Sequence, residues 1–159
     1  MKTIYCIAFL LSFNGVAVFG QKDSSKIFED SKGTWNYPVS KCYEVFAHSG
    51  GLDSGDIGKG ASFFTDSVCG VNAVFGGRVE TIMKDDNYTV MIEYGKYFIL
   101  YAGLTRPILK RGDIVKAGQI IAYPTKDGEG KYCVDIILFT KETLIDIFPW
   151  FRKQNLLTK

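Results

Sequence analysis

The sequence predicts a mostly β domain, an antiparallel sheet or half-barrel with long loops around a groove, and three observations carry that reading. From Val90 to Tyr101 the chain alternates: Val90, Ile92 and Tyr94 against Met91 and Glu93, then, past Gly95, Phe98 and Leu100 against Tyr97, Ile99 and Tyr101. A side-chain period of two belongs to strands. Lys110-Arg111-Gly112-Asp113 and Lys116-Ala117-Gly118-Gln119 then place turn chemistry six residues apart, each before a β-branched pair, Ile114-Val115 and Ile120-Ile121. Finally, 17 glycines with 12 Phe and 9 Tyr describe a turn-rich, aromatic β domain.

The 159 residues suffice for one domain with a proper core. Met1-Lys2-Thr3, the apolar run Ile4–Leu11 and Val18-Phe19-Gly20 before Gln21 have the layout of a secretory signal peptide, too short to span a membrane. The expected organisation is a signal peptide at 1–20, a flexible leader at 21–34, the domain at 35–151 and a polar tail at 152–159. This predicts a secreted or periplasmic protein with no membrane span once the signal is removed. The formal charge of +2 falls to +1 with the loss of Lys2, and this near-neutral balance makes no case for a nucleic-acid partner. Cys42, Cys69 and Cys133 would remain after cleavage. They allow one disulfide plus a free thiol, or three buried thiols; without a C-x-x-C pattern, and because buried Cys behaves as a small apolar residue, unpaired structural thiols are favoured.

In chain order, Tyr43–Phe46 reads as a short strand and the glycine-rich run His48–Gly60 as a long loop. Ala61–Phe64 is a second short strand. Val71–Phe75 and Arg78–Ile82 flank a Gly76-Gly77 turn, Lys84–Asn87 is a polar hairpin loop, and Tyr132–Thr140 is an apolar strand. A helical turn is expected over Lys141–Ile147. Asn87-Tyr88-Thr89 has the form of a glycosylation sequon, and hairpin polarity explains it equally. Arg111-Gly112-Asp113 spells an adhesive tripeptide, but its turn role accounts for it.

In this order, Gly60-Ala61-Ser62-Phe63, Ala73–Val79, Leu100-Tyr101-Ala102-Gly103-Leu104, Lys110–Ile121 and Pro149-Trp150 resemble the lysostaphin/LytM-type peptidoglycan metalloendopeptidases. Within that family the chain is most similar to the EnvC-like murein hydrolase activators, over about Trp35–Phe151. The Gly-Asp-x-Val-x-x-Gly-Gln-x-Ile run also occurs in lipoyl- and biotinyl-type barrels; beside the Tyr-Ala-x-Leu piece it is more specific. The resemblance implies a lysostaphin-type sheet and a zinc held by two His and one Asp, from H-x-x-x-D, Tyr-Ala-His-Leu and H-x-H segments. Carried over position by position, the first His falls at Gly58 and the Asp at Ser62. The middle His falls at Gly103, and the closing pair at Cys133 and Asp135.

Every one of those positions departs from the pattern, and the whole chain contains one histidine, His48. A two-imidazole zinc site therefore cannot be assembled within one chain. The expected site has no catalytic residue, no metal ligand and no cofactor. It is a former cleft marked by Gly58, Ser62, Gly103, Cys133 and Asp135, with Tyr97 and Tyr101 as candidate groove aromatics. Cys133 with His48 would make a nucleophile and base, but Cys133 reads more simply as a small core residue and His48 as a solvated loop side chain. The function inferred is a non-catalytic, peptidase-like module that binds a cell-wall amidase or peptidoglycan and regulates cell-wall remodelling. The alternatives are a surviving endopeptidase using Asp135 or Cys133, and a structural envelope component.

Overall fold

A computed structural model describes residues 24–48 and 59–153. The expected signal peptide at 1–20 and Gly58 lie outside the described residues. Among the described residues ten strands form one sheet: β1 (Cys42–Ala47), β2 (Ala61–Thr65), β3 (Val71–Asn72), β4 (Gly77–Lys84), β5 (Tyr88–Tyr94), β6 (Tyr97–Thr105), β7 (Ile114–Val115), β8 (Ile120–Lys126), β9 (Tyr132–Phe139) and β10 (Leu144–Ile145). All strand pairings are antiparallel, in the order β1-β2-β9-β8-β6-β5-β4-β7, with β3 on β8 and β10 on β9. The mostly β architecture built on an antiparallel sheet, expected from the sequence, is the one observed.

The period-two pattern sorts the sheet into two faces. Ala61, Phe63, Tyr97, Ile99, Tyr101, Val134, Ile136 and Leu138 are buried on one face and form the core. Ser62 and Phe64 on β2, Cys133 and Asp135 on β9 and Ala102 on β6 point to the other. Strand β9 is shared. It pairs with β6 from Phe139 to Asp135, then the two part at Gly103 and β8 enters between them, pairing Leu104 and Thr105 on one side and Cys133 and Tyr132 on the other.

Several local expectations need correction. Residues 24–30, expected within the flexible leader, are helical (α1), and Phe28 on this helix is fully buried. Its ring stacks on Tyr97 with centroids 4.0 Å apart and meets Trp35, Phe75 and Trp150 within 5.8 Å. Tyr97 and Tyr101 are therefore not groove aromatics: they face the core and are at most 2% exposed. Burial drives this: Phe28 covers the Tyr97 ring, and Tyr101 lies fully inside the hydrophobic core. Tyr101 Oη accepts a 2.9 Å bond from the Val74 amide, so its polar end is satisfied inside. Tyr97 Oη donates to Glu29. Lys32 and then this phenol hold the Glu29 carboxyl below its usual range, while burial and then Glu29 push Tyr97 up to about 12.

The Val71–Phe75 segment pairs only briefly, and with β8 rather than across Gly76-Gly77. Within Lys141–Ile147 the chain forms no helical turn but the two-residue strand β10 (Leu144–Ile145), and a 3-10 turn follows at Phe148–Trp150. Segments near the two ends of the described residues are tied to each other: the Trp35 amide donates to Trp150 O at 2.9 Å and the Arg152 amide to Trp35 O at 3.0 Å. Asp113 closes its turn by accepting from the Lys110 amide at 2.9 Å, which is the structural role expected for Arg111-Gly112-Asp113. No helix among the described residues is long and apolar enough to cross a membrane.

Phe28→Ala removes the ring on which the terminal aromatic cluster converges. A loss of about 3–5 kcal/mol is expected, read as a lower denaturant midpoint at unchanged slope; an unshifted midpoint would place α1 outside the folding unit.

Candidate functional site

On the face away from the core, the parting of β6 and β9 brings the predicted positions together. Ser62 on β2 lies directly across from Asp135 on β9, and Ala102 on β6 is the next partner of Asp135. Cys133 follows two residues away on the same face of β9, beside Gly103. Four of the five sequence-derived positions thus meet at one place; the fifth, Gly58, is outside the described residues.

The residue that sequence reasoning missed is His48. Its place in a glycine-rich loop implies a solvated side chain, yet that side chain is only 21% exposed. The backbone explains why: β1 and β2 pair to their ends, Ala47 against Ala61, and the His48 amide then donates to Gly60 O at 3.0 Å. This delivers the imidazole onto the site face. A Cβ at Gly60 would lie 2.8 Å from Ile136 O and 3.2 Å from His48 Nδ1, so the close approach of these segments requires glycine there. The signal available in the sequence was composition alone, since His48 is the one imidazole in the chain.

His48 Nε2 is 2.8 Å from Ser62 Oγ, Ser62 Oγ donates to Asp135 Oδ1, and His48 Nε2 is 3.9 Å from the same Oδ1. The serine has one proton and gives it to the carboxylate. Its oxygen must therefore accept from His48, which fixes the imidazole with a proton on Nε2. This order is unsuited to activating the serine: a base at His48 would have to accept the serine proton, not donate toward it. Ser62 is 8% exposed and has both hydrogen-bonding roles filled.

The neighbouring positions carry no stronger chemistry. Gly103 adopts φ +69°, a conformation that disfavours any side chain with a Cβ, and its carbonyl accepts from Thr125 Oγ1 at 2.9 Å. Cys133 is half-buried, and burial first, then the Asp135 and Asp127 carboxylates, push its thiol up to about 11. At neutral pH it is a thiol, neither a ready nucleophile nor a ready metal ligand. The residues do not fit the zinc that the resemblance implies. Gly103 offers no ligand, the one imidazole is committed to Ser62, and that hydroxyl lies between the imidazole and Asp135. Among the described residues no three His, Cys, Asp or Glu side chains converge.

No family model and no curated protein matches the chain by sequence. Solved structures do match. A chain of the SpoIIQ–SpoIIIAH pore-forming complex superposes with a TM-score of 0.61 at 16% identity, covering 76% of this chain and 92% of that one. A zinc-containing peptidase from Vibrio cholerae gives 0.55 at 21% identity, covering 79% of this chain and 41% of that one. Lysostaphin gives 0.52 at 20% identity, covering 69% and 49%. The fold is that of the lysostaphin-type peptidases. The chain spans nearly all of the first match but less than half of each of the two peptidases. No murein hydrolase activator is among these three matches, and they support the lysostaphin-type fold without the activator branch.

A concavity lies at the other end of the sheet from the polar site. It is a cleft of about 750 Å³ lined by Phe75, Arg78, Tyr94, Ile114, Val115 and Ala117, among others, between β4, β5 and β7. The β1-β2-β9 end that carries the polar site is at the opposite side of the strand order.

Ser62→Ala should cost about 1 kcal/mol in a denaturant melt, because a half-buried hydrogen-bond pair loses its shared partner while water reaches Asp135. Loss of the protected His48 Nε2–H resonance in the same variant would confirm the bridging order. Alkylation of Cys133 should be slow at neutral pH and rise tenfold per pH unit toward about 11; a rate already maximal at pH 7 would contradict the buried-thiol description.

Proposed function

We propose that this chain is a non-catalytic, peptidase-shaped binding domain of the cell envelope, exported by its N-terminal signal, that docks on a cell-wall amidase or on peptidoglycan. The observation that carries the reading is the His48–Ser62–Asp135 hydrogen-bonded group, in which a serine hydroxyl stands between the one imidazole and the carboxylate. A hydrolase cleft without its ligands keeps the sheet, the flanking loops and a set of donors and acceptors at the surface. Those are the parts that recognise a peptide rather than cleave it. The match to a chain of the SpoIIQ–SpoIIIAH pore-forming complex supports it further, because a domain of this shape there assembles with a protein partner. Regulation of an amidase, which the resemblance to the activator branch implies, is the specific form of this function.

Purified protein should contain far less than one zinc per chain, leave muropeptides intact, and retain either peptidoglycan sacculi or an amidase from an envelope extract. Stoichiometric zinc together with muropeptide cleavage that is lost in Asp135→Ala would overturn the proposal in favour of a surviving endopeptidase.

A further inference from the structure

We propose that Cys42 and Cys69 form a disulfide when the chain meets an oxidising thiol–disulfide pool, leaving Cys133 as the unpaired thiol. All three are free thiols in this structure. Cys42 opens β1 and lies directly across from Thr65, the last residue of β2, so the two side chains share a face. That face is the core, with Cys42 5% and Thr65 1% exposed. Thr65 Oγ1 in turn lies 3.7 Å from Cys69 Sγ, and Cys69 is half-buried against the same cluster. One threonine therefore neighbours both cysteines, and the strand end brings them to the same corner of the core.

The third cysteine is excluded by the pleat. Cys133 pairs with Phe64, the residue before Thr65, so its side chain leaves the sheet on the opposite face. Bridging Cys42 to Cys133 would require passing a thiol through β2. The odd cysteine count that left the pairing open in the sequence is resolved by which side of one strand each residue occupies.

The chemistry balances as two exchange steps with a small-molecule disulfide such as oxidised glutathione. The Cys69 thiolate attacks one sulfur of the oxidant, releasing a thiol and leaving a mixed disulfide; the Cys42 thiolate then displaces the second thiol. The two protein thiols lose two protons and two electrons, and the oxidant's S–S bond is reduced to two thiols. Cys69, the more exposed of the pair, is the site of first attack. Burial pushes the Cys42 thiol up to about 11, so the closing step accelerates as pH rises or when β1 opens.

The bridge would tie β1, which among the described residues pairs with β2 alone, to the segment that follows β2. It would close a loop from residue 42 to residue 69 that contains both His48 and Ser62. The cross-link would thus constrain the unfolded chain over the segment that supplies two of the three hydrogen-bonded groups of the polar site.

The test is peptide mapping, without reduction, of the full chain carrying Cys6→Ser after equilibration with oxidised and reduced glutathione at mildly alkaline pH. The expected result is a cross-linked peptide containing Cys42 and Cys69, an alkylated Cys133, and a melting temperature roughly 5–10 °C above that of the reduced protein. Cys69→Ser should abolish both the cross-link and the shift. Alkylation of Cys42, Cys69 and Cys133 alike after oxidation, or a bridge involving Cys133, would overturn the proposal.

Discussion

The hydrogen-bonding of β9 on both of its edges is the constraint on which the rest of this structure depends. One edge pairs with β2 and the other with β6, until β9 and β6 diverge at Gly103 and β8 fills the gap. Because adjacent residues of a strand face opposite ways, the same pairing serves two purposes. Val134, Ile136 and Leu138 are driven into the core, while Cys133 and Asp135 are held on the outer face opposite Phe64 and Ser62. A slip of one residue would bury Asp135 and expose Ile136, so the hydrophobic pattern of β9 itself guards the site's register.

The second organising element is aromatic and joins the ends of the described chain. Phe28, Trp35, Phe75, Tyr97 and Trp150 meet ring to ring, and backbone bonds run from Trp35 to Trp150 and from Arg152 to Trp35. This cluster closes the core face of β6. It converts a face that would otherwise present tyrosines to solvent into an interior, and it leaves the opposite face as the place where polar chemistry can gather.

That opposite face carries a hydrogen-bonded arrangement in place of a converging ligand set. Imidazole, hydroxyl and carboxylate stand in series, with the serine proton directed to Asp135 and the His48 proton to the serine. Such a series satisfies three partly buried polar groups without a metal charge between them. Beside it, Gly103 has a backbone conformation rather than a side chain to contribute, and Cys133 is held as a neutral thiol.

Much of this could be read from the residues in order. The alternation through Val90–Tyr101, the turn at Gly95, the short strands after Gly112 and Gly118, and the apolar strand beginning at Tyr132 are local patterns, and the observed strands follow them. The presence of a single histidine likewise excluded a two-imidazole zinc site from composition alone. What local pattern does not contain is which face of a strand becomes covered. Tyr97 and Tyr101 alternate correctly for either a groove or a core, and Phe28, more than sixty residues earlier, decides for the core by stacking on Tyr97. Polar spacing hid the helix at 24–30 because its one deeply buried residue, Phe28, finds its partners only in distant segments. His48 reaches Ser62 across 14 residues, and Ser62 reaches Asp135 across 73. Sequence by itself thus determined the strands and what chemistry was missing, because both follow from near neighbours and counts. Tertiary structure alone decided which side chains met, because pairing between distant strands selects the face on which each one emerges.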